Sequence, residues 1–170
     1  FTKISNSGAP LAETAISGNG ANDWACTKDN QSNLIWDIRT SDGGLRDSGW
    51  TYSWYDSATG AGVQNGGICT GSNCDTSGYV SALNVAKVCG YHSWIMPAKE
   101  ELASLMNPYS RVRVDTVFFP NTYHSSDIQA YWSGSAYVGA NYGAWMDSFY
   151  YGYYYGAYFD EKHYVMAVSK

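Results

Sequence analysis

Side chains able to do chemistry are few in this chain, and they are scattered. The three histidines, His92, His124 and His163, lie far apart, with no nucleophile-elbow, zincin, phosphate-loop or dinucleotide signature beside them. His92 reads as a surface or structural residue. His124 sits in Asn121-Thr-Tyr-His-Ser-Ser-Asp127, where a Ser/His/Asp trio can be composed, but polar loops produce such trios by chance. The cysteines Cys26, Cys69, Cys74 and Cys89 lack the CxxC spacing or nearby histidines of a zinc site. Thr-Gly-Ser-Asn between Cys69 and Cys74 forms turns and can bring two sulfurs together. Two disulfides, Cys69–Cys74 and Cys26–Cys89, in an oxidising compartment are the favoured reading, with four buried thiols in a reducing one as the alternative. Asp42, Asp47 and Asp56 accompany turn glycines and read as solvated loop. Asp127, Asp160 and Glu161 lack the Glu-Pro-Asn or Trp-Asn-Asp strings that a calcium-dependent sugar site would use. No enzyme activity, metal or cofactor is expected.

What the chain concentrates is phenol. Ten of its 16 tyrosines lie between Tyr131 and Tyr164, most densely in Phe149-Tyr-Tyr-Gly-Tyr-Tyr-Tyr-Gly-Ala-Tyr158. A core has no use for so many consecutive hydroxyls, each needing a partner, and a pleated run must turn some toward solvent. Exposed Tyr offers a large amphipathic contact at low entropic cost, as in antibody paratopes. The expected binding surface is Tyr137, Asn141, Tyr142, Asp147, Tyr150, Tyr151, Tyr153, Tyr154, Tyr155 and Tyr158. In the strand before the dense run, Trp145, Asp147 and Phe149 share parity and face the core; the strand then bulges at Asp147, or Asp147 lines a pocket.

The elements that must hold this surface follow from periodicity. At 170 residues, 45% apolar and 15% charged, the chain is sized for one domain over residues 1–170. Abundant Trp, Tyr and Gly point to short strands and turns. Phe1 and Ile4 suggest an opening strand. Leu34, Trp36 and Ile38 alternate with Ile35 and Asp37 as a strand, and Trp50, Tyr52 and Trp54 alternate over a short extended run. Residues 56–74 read as a long polar loop closed by the short disulfide. One helix is expected over Thr76–Cys89, with Asp75 or Thr76 as N-cap, Gly90 as its stop, and Tyr79, Val80, Leu83, Ala86 and Val88 near one face. A second follows Pro97 over Lys99–Met106, capped at an oxygen-free Ala98 but with Glu101 three residues on. Tyr131–Ser135, Ala144–Tyr151 and Tyr164–Val168 read as strands, and the whole as an α+β fold with a mixed or antiparallel sheet and long loops.

Several strings, in order along the chain, carry a family resemblance. They are Trp24-Ala-Cys-Thr-Lys-Asp-Asn30 with Leu34-Ile-Trp36, Asp42-Gly-Gly-Leu45, Trp50-Thr-Tyr-Ser-Trp-Tyr55 and Cys89-Gly-Tyr-His-Ser-Trp94. Pro97-Ala-Lys-Glu-Glu-Leu102, Phe119-Pro-Asn-Thr122, Tyr131-Trp-Ser133 and Ala144-Trp145 complete the set. From about residue 24 to 168 the chain resembles the family of the C-terminal domain of the collagen-like adhesin Lcl. The resemblance implies a C-type-lectin-like fold related to the formylglycine-generating enzyme. That enzyme's reactive cysteine pair lies near its C-terminus, whereas Cys89 is the last cysteine here, so its oxidase chemistry is not expected. Family members serve as adhesin tips and as variable proteins of diversity-generating retroelements, whose adenine-directed mutagenesis enriches Tyr, Asn, Ser and Asp; Ala136–His163 has that composition. Ile95 and Met96 stand where the family usually has Arg-Leu, Ala98 where it has Thr, and Met166 where Arg is common. Roles of those arginines therefore do not carry over.

A net charge of −5 disfavours nucleic acid, anionic membrane and sulfated polysaccharide as long-range partners. No apolar run reaches the ~18 residues of a membrane span. Opening at Phe1 without a signal peptide, the chain reads as a processed or excised piece of something longer. The expectation is a ligand- or receptor-binding module, extracellular or on a cell or virion surface, meeting a protein or glycan. A glycan-binding adhesin tip and a structural homo-oligomerisation domain are the alternatives.

Overall fold

The computed structural model describes residues 1–110, 113–122, 130–137 and 142–170. In chain order the elements are β1 (Thr2–Ser5), β2 (Pro10–Leu11), β3 (Trp24–Lys28), β4 (Ile35–Asp37), β5 (Tyr55–Asp56), β6 (Ala61–Gly62) and α1 (Thr76–Ala86). Then follow β7 (Trp94–Ile95), α2 (Lys99–Ser104), β8 (Tyr131–Ala136), β9 (Gly143–Ser148), β10 (Tyr153–Tyr158) and β11 (Val168–Ser169). A six-stranded sheet runs in the order β2-β1-β3-β4-β11-β7, a three-stranded sheet β10-β9-β8, and β5-β6 form a hairpin. Pairing between these strands is antiparallel throughout, and the fold is α+β, of the C-type-lectin-like kind the resemblance implies.

Helix α1 starts where Asp75 can cap it: the Asp75 carboxylate accepts the Gly78 N–H at 2.7 Å. It ends at Ala86, earlier than its periodicity predicts, because Lys87 takes a left-handed conformation (φ 49°) and a short 3₁₀ turn over Val88–Gly90 follows. Tyr79 and Leu83 are buried, while Ala86, expected on the inner face, is exposed. Helix α2 also stops early, at Ser104; Leu102 and Leu105 are buried and Met106 is half-buried. Both expected disulfides form, Cys26–Cys89 and Cys69–Cys74, so the chain belongs in an oxidising environment. The first ties β3 to the turn after α1, the second closes the loop beyond β6. No helix among the described residues is long and apolar enough to cross a membrane.

Strand β4 departs from the half-buried alternation its sequence suggests. It lies between β3 and β11 with both faces covered, and Ile35, Trp36 and Asp37 are all buried. Asp37 is tolerated there because its carboxylate accepts the Ala167 N–H at 2.5 Å and the Tyr79 hydroxyl. Arg39, also buried, donates to Tyr79 Oη at 2.6 Å and lies 3.6 Å from Asp37. Asp42, Asp47 and Asp56 accept N–H groups within their own turns, as solvated loop acids do.

Two apolar clusters join these layers. One gathers Tyr52, Trp54, Tyr79, Leu83, Trp94, Trp132 and Met146; the other packs Trp36, Leu102, Phe119, Tyr131, Phe149 and Met166 under α2. Indole donors lock the extended 50–54 segment to the smaller sheet: Trp132 Nε1 to Tyr52 O at 2.7 Å, and Trp54 Nε1 to Ser133 O at 2.8 Å. The far end of β10 is anchored where Phe159 stacks on Trp54, 4.7 Å between centroids at 16°. The smaller sheet is therefore a rigid platform for what its outer strand displays.

Candidate ligand-binding surface

The dense tyrosine run that sequence reading leaves without an element is β10, the edge strand of the smaller sheet. Gly152 (φ 74°) makes the turn from β9 possible. The register sets Tyr153 opposite Ser148, Tyr154 opposite Asp147, Tyr155 opposite Met146, Gly156 opposite Trp145 and Tyr158 opposite Gly143. Opposed residues share a face, so Tyr153 and Tyr155 stand with Met146, while Tyr154 and Tyr158 stand with Asp147 and Trp145. The expected single patch is thus wrapped around a strand edge, with rings on both sides of it.

Exposure follows position. Tyr142 and Tyr158 are 70% and 64% exposed and Tyr153 is 52% exposed; Tyr150, Tyr151 and Tyr154 are exposed, and Tyr137 and Tyr155 half-buried. Asn141 lies outside the described residues, as do His124, Ser125 and Asp127 of the loop trio. Along one side the rings form a continuous string. Tyr150 meets Tyr151 edge-on at 5.0 Å, Tyr151 stacks on Tyr153 at 5.3 Å, and Tyr153 leans on Tyr155 at 6.0 Å. Tyr142 and Tyr158, with Ala61, Val63, Phe159 and Asp160, line a hollow of about 470 Å³ against the β5-β6 hairpin.

The opposite face holds a second group. Tyr137 abuts Trp145 edge-on at 4.6 Å, and Trp145 meets Tyr154 at 5.3 Å. A Cβ on Gly156 would come within 3.2 Å of the Tyr137 ring, so glycine is what allows that ring to lie across β10. Lys99, the first residue of α2, places its ammonium 4.5 Å from the Trp145 centroid and 4.6 Å from that of Tyr154. Its backbone is pinned to β8, with Lys99 N–H on Ser135 Oγ at 3.2 Å and Gly134 N–H on Pro97 O at 2.7 Å. Sequence reading gave neither Lys99 nor Trp145 to the surface. Trp145 shares parity with Asp147 and Phe149 as expected, yet it is only half-buried, because α2 ends its cover at Lys99.

Asp147, expected on the binding surface, lies beneath it. It is 0% exposed, so no ligand reaches it without rearrangement. The strand does not bulge there, since Asp147 pairs in register with both Tyr131 and Tyr154. Neither carboxylate oxygen has a hydrogen-bond partner among the described residues. Burial raises its pKa to about 7; Glu100 pushes the same way and Lys99 opposes.

Among the histidines, His92 is exposed, while His163 is buried edge-on against Trp132 at 4.9 Å. Burial holds the His163 imidazole below its ordinary range, against the opposing pull of Glu161. Among the described residues no three His, Cys, Asp or Glu side chains gather as a metal set would require. The family model described as the Lcl C-terminal domain matches residues 25–169. No curated protein and no solved structure matches the chain.

Proposed function

The chain belongs to the Lcl C-terminal domain family, and on that premise we propose that it is a recognition module that binds without chemistry, through the tyrosines of β10 and its flanking turns. The observation that carries this reading is six exposed tyrosines, Tyr142, Tyr150, Tyr151, Tyr153, Tyr154 and Tyr158, on one edge of a disulfide-tied scaffold. Rings in solvent contribute little to folding, but they supply anchors worth ~2 kcal/mol or more each at the best positions of an interface. The partner is a protein or glycan on a cell surface, and the module acts outside the cell, on a cell or virion surface. The same tyrosines are the residues that a diversity-generating retroelement would rewrite. An imperfect, adenine-rich copy of codons 136–163 beside a reverse-transcriptase gene is the expected genomic sign.

Binding of fluorescent protein to panels of intact cells and to a glycan array tests the reading. Wild type binds some target, and the variant with all six tyrosines changed to Ser does not. Equal binding by the two folded proteins would refute it, and binding confined to sugars would favour the adhesin-tip alternative.

Self-association is a second reading with its own observation. Phe159 N–H donates to Tyr142 O at 2.9 Å, which fixes the ladder phase and turns the backbone groups of Tyr154 and Gly156 outward. Strand β10 carries no charge or proline to block pairing, and no described strand lies beyond it. The solution mass of wild type against Tyr154→Pro separates this reading: a dimer that becomes a monomer supports it, and a monomeric wild type removes it.

A further inference from the structure

Resting on the binding face just proposed, the geometry points to a specific chemistry for part of it. We infer that the Trp145–Tyr154–Tyr137 ring group is a cation seat, held in the free protein by Lys99, and that the protein partner's arginine takes this seat on binding.

Lys99 shows that the seat holds a cation. Its ammonium lies over two ring faces, and its nearest ion partner is Glu100 at 3.6 Å, whose side chain is 73% exposed. The rings thus define where this charge rests, through attraction between a cation and the negative face of an aromatic ring. The contact is replaceable: the Lys99 side chain is still 24% exposed, and Glu100 stays within reach of the ammonium if it swings off the rings. Tyr137 walls the group on one side, meeting Trp145 at 4.6 Å over Gly156.

The surroundings favour a basic partner. On the other side of Tyr137 and Gly156 lies a recess of about 190 Å³ lined also by Tyr158 and Glu161. The Glu161 side chain is 43% exposed at its rim, and its carboxylate already takes the Tyr158 N–H at 2.9 Å. Glu100 stands beside Lys99 and Glu161 beyond Tyr137, in a chain of net charge −5. Arginine fits better than lysine because guanidinium is planar, more weakly hydrated than ammonium, and stacks on aromatic faces. A sulfated or phosphorylated ligand would meet these acids instead.

The test uses the folded chain and a capped arginine, the N-acetyl methylamide, as probe. Two-dimensional NMR follows the indole N–H of Trp145, assigned by its loss in Trp145→Phe. In Lys99→Met, which keeps the stem and removes the competing charge, the probe shifts this resonance saturably and binds about tenfold tighter than to wild type. Adding Tyr154→Leu to Lys99→Met abolishes the shift. The other indole resonances stay in place and report the fold; should Lys99→Met disturb them, Lys99→Gln replaces it. No saturable shift in the folded variant up to the probe's solubility limit overturns the cation seat. A response to tetramethylammonium but not to capped arginine overturns the guanidinium assignment. Because no cell or glycan enters this titration, its failure leaves the six-tyrosine binding comparison to stand or fall alone.

Discussion

Asp147 should make this domain less stable as the pH rises toward neutrality, against the usual behaviour of a carboxylate. A folded-state pKa of about 7 against an ordinary 3.8 means that the native protein holds a proton the unfolded chain has already released. The contribution is fully present below about pH 4 and is lost as pH rises through about 7. That displacement corresponds to about 4 kcal/mol, an upper figure because local relaxation would admit water. Asp147→Asn places a neutral group of the same shape in the same unpartnered site. The variant and wild type should unfold in urea at similar concentrations at pH 4, and the variant should be more stable by up to ~4 kcal/mol at pH 8. His163 titrates in the opposite sense, costing stability as pH falls below the ordinary imidazole range, but it is common to both proteins and cancels in their difference. A stability difference that does not change with pH would show that Asp147 ionises normally in the native state, and the argument from its burial would fail.

Other features give sharper or simpler expectations. Loop-closure entropy assigns the Cys26–Cys89 bridge, whose ends are 63 positions apart, about 4 kcal/mol, and Cys69–Cys74, five apart, about 2 kcal/mol. Paired Cys→Ser variants in urea melts should rank in that order. Ala98 has the extended backbone of an N-cap and already has its N–H on Glu101 at 2.8 Å, so Ala98→Ser should add about 1 kcal/mol by completing the reciprocal pair, read as a rise in melting temperature. Tyr79→Phe removes the hydroxyl that Asp37 and Arg39 share in the core and should cost about 3 kcal/mol or more in chemical denaturation.

Much of the scaffold was legible because its signals are local. The Asp75 cap, the Cys69–Cys74 turn and the alternation of Tyr52 and Trp54 each depend on neighbours in sequence. What failed to show depends on tertiary placement. Asp37 shows in sequence only as one of the residues alternating with Trp36 and Ile38, and its burial depends on the segment leading into β11, from the far end of the chain, which supplies the Ala167 N–H. Ala86 sits on the apolar stripe of α1 yet ends in solvent, at the last residue of the helix. At the binding surface, residue type pointed to the tyrosines. Their division between two faces needed the β9-β10 register, and nothing in the sequence joins Lys99 to Trp145 across 46 positions. Asp147 was placed on the right face by parity, but parity says nothing of what lies above that face, and α2 closes it.

If the six exposed tyrosines serve recognition, the scaffold holds its shape when they are replaced. A display library randomised at Tyr142, Tyr150, Tyr151, Tyr153, Tyr154 and Tyr158 tests this directly, gated first for protease resistance and then for capture of an immobilised protein. Most members should pass the first gate, and specific binders should emerge from the second. If protease-resistant members instead converge on the native tyrosines, those rings are structural and the recognition role is wrong.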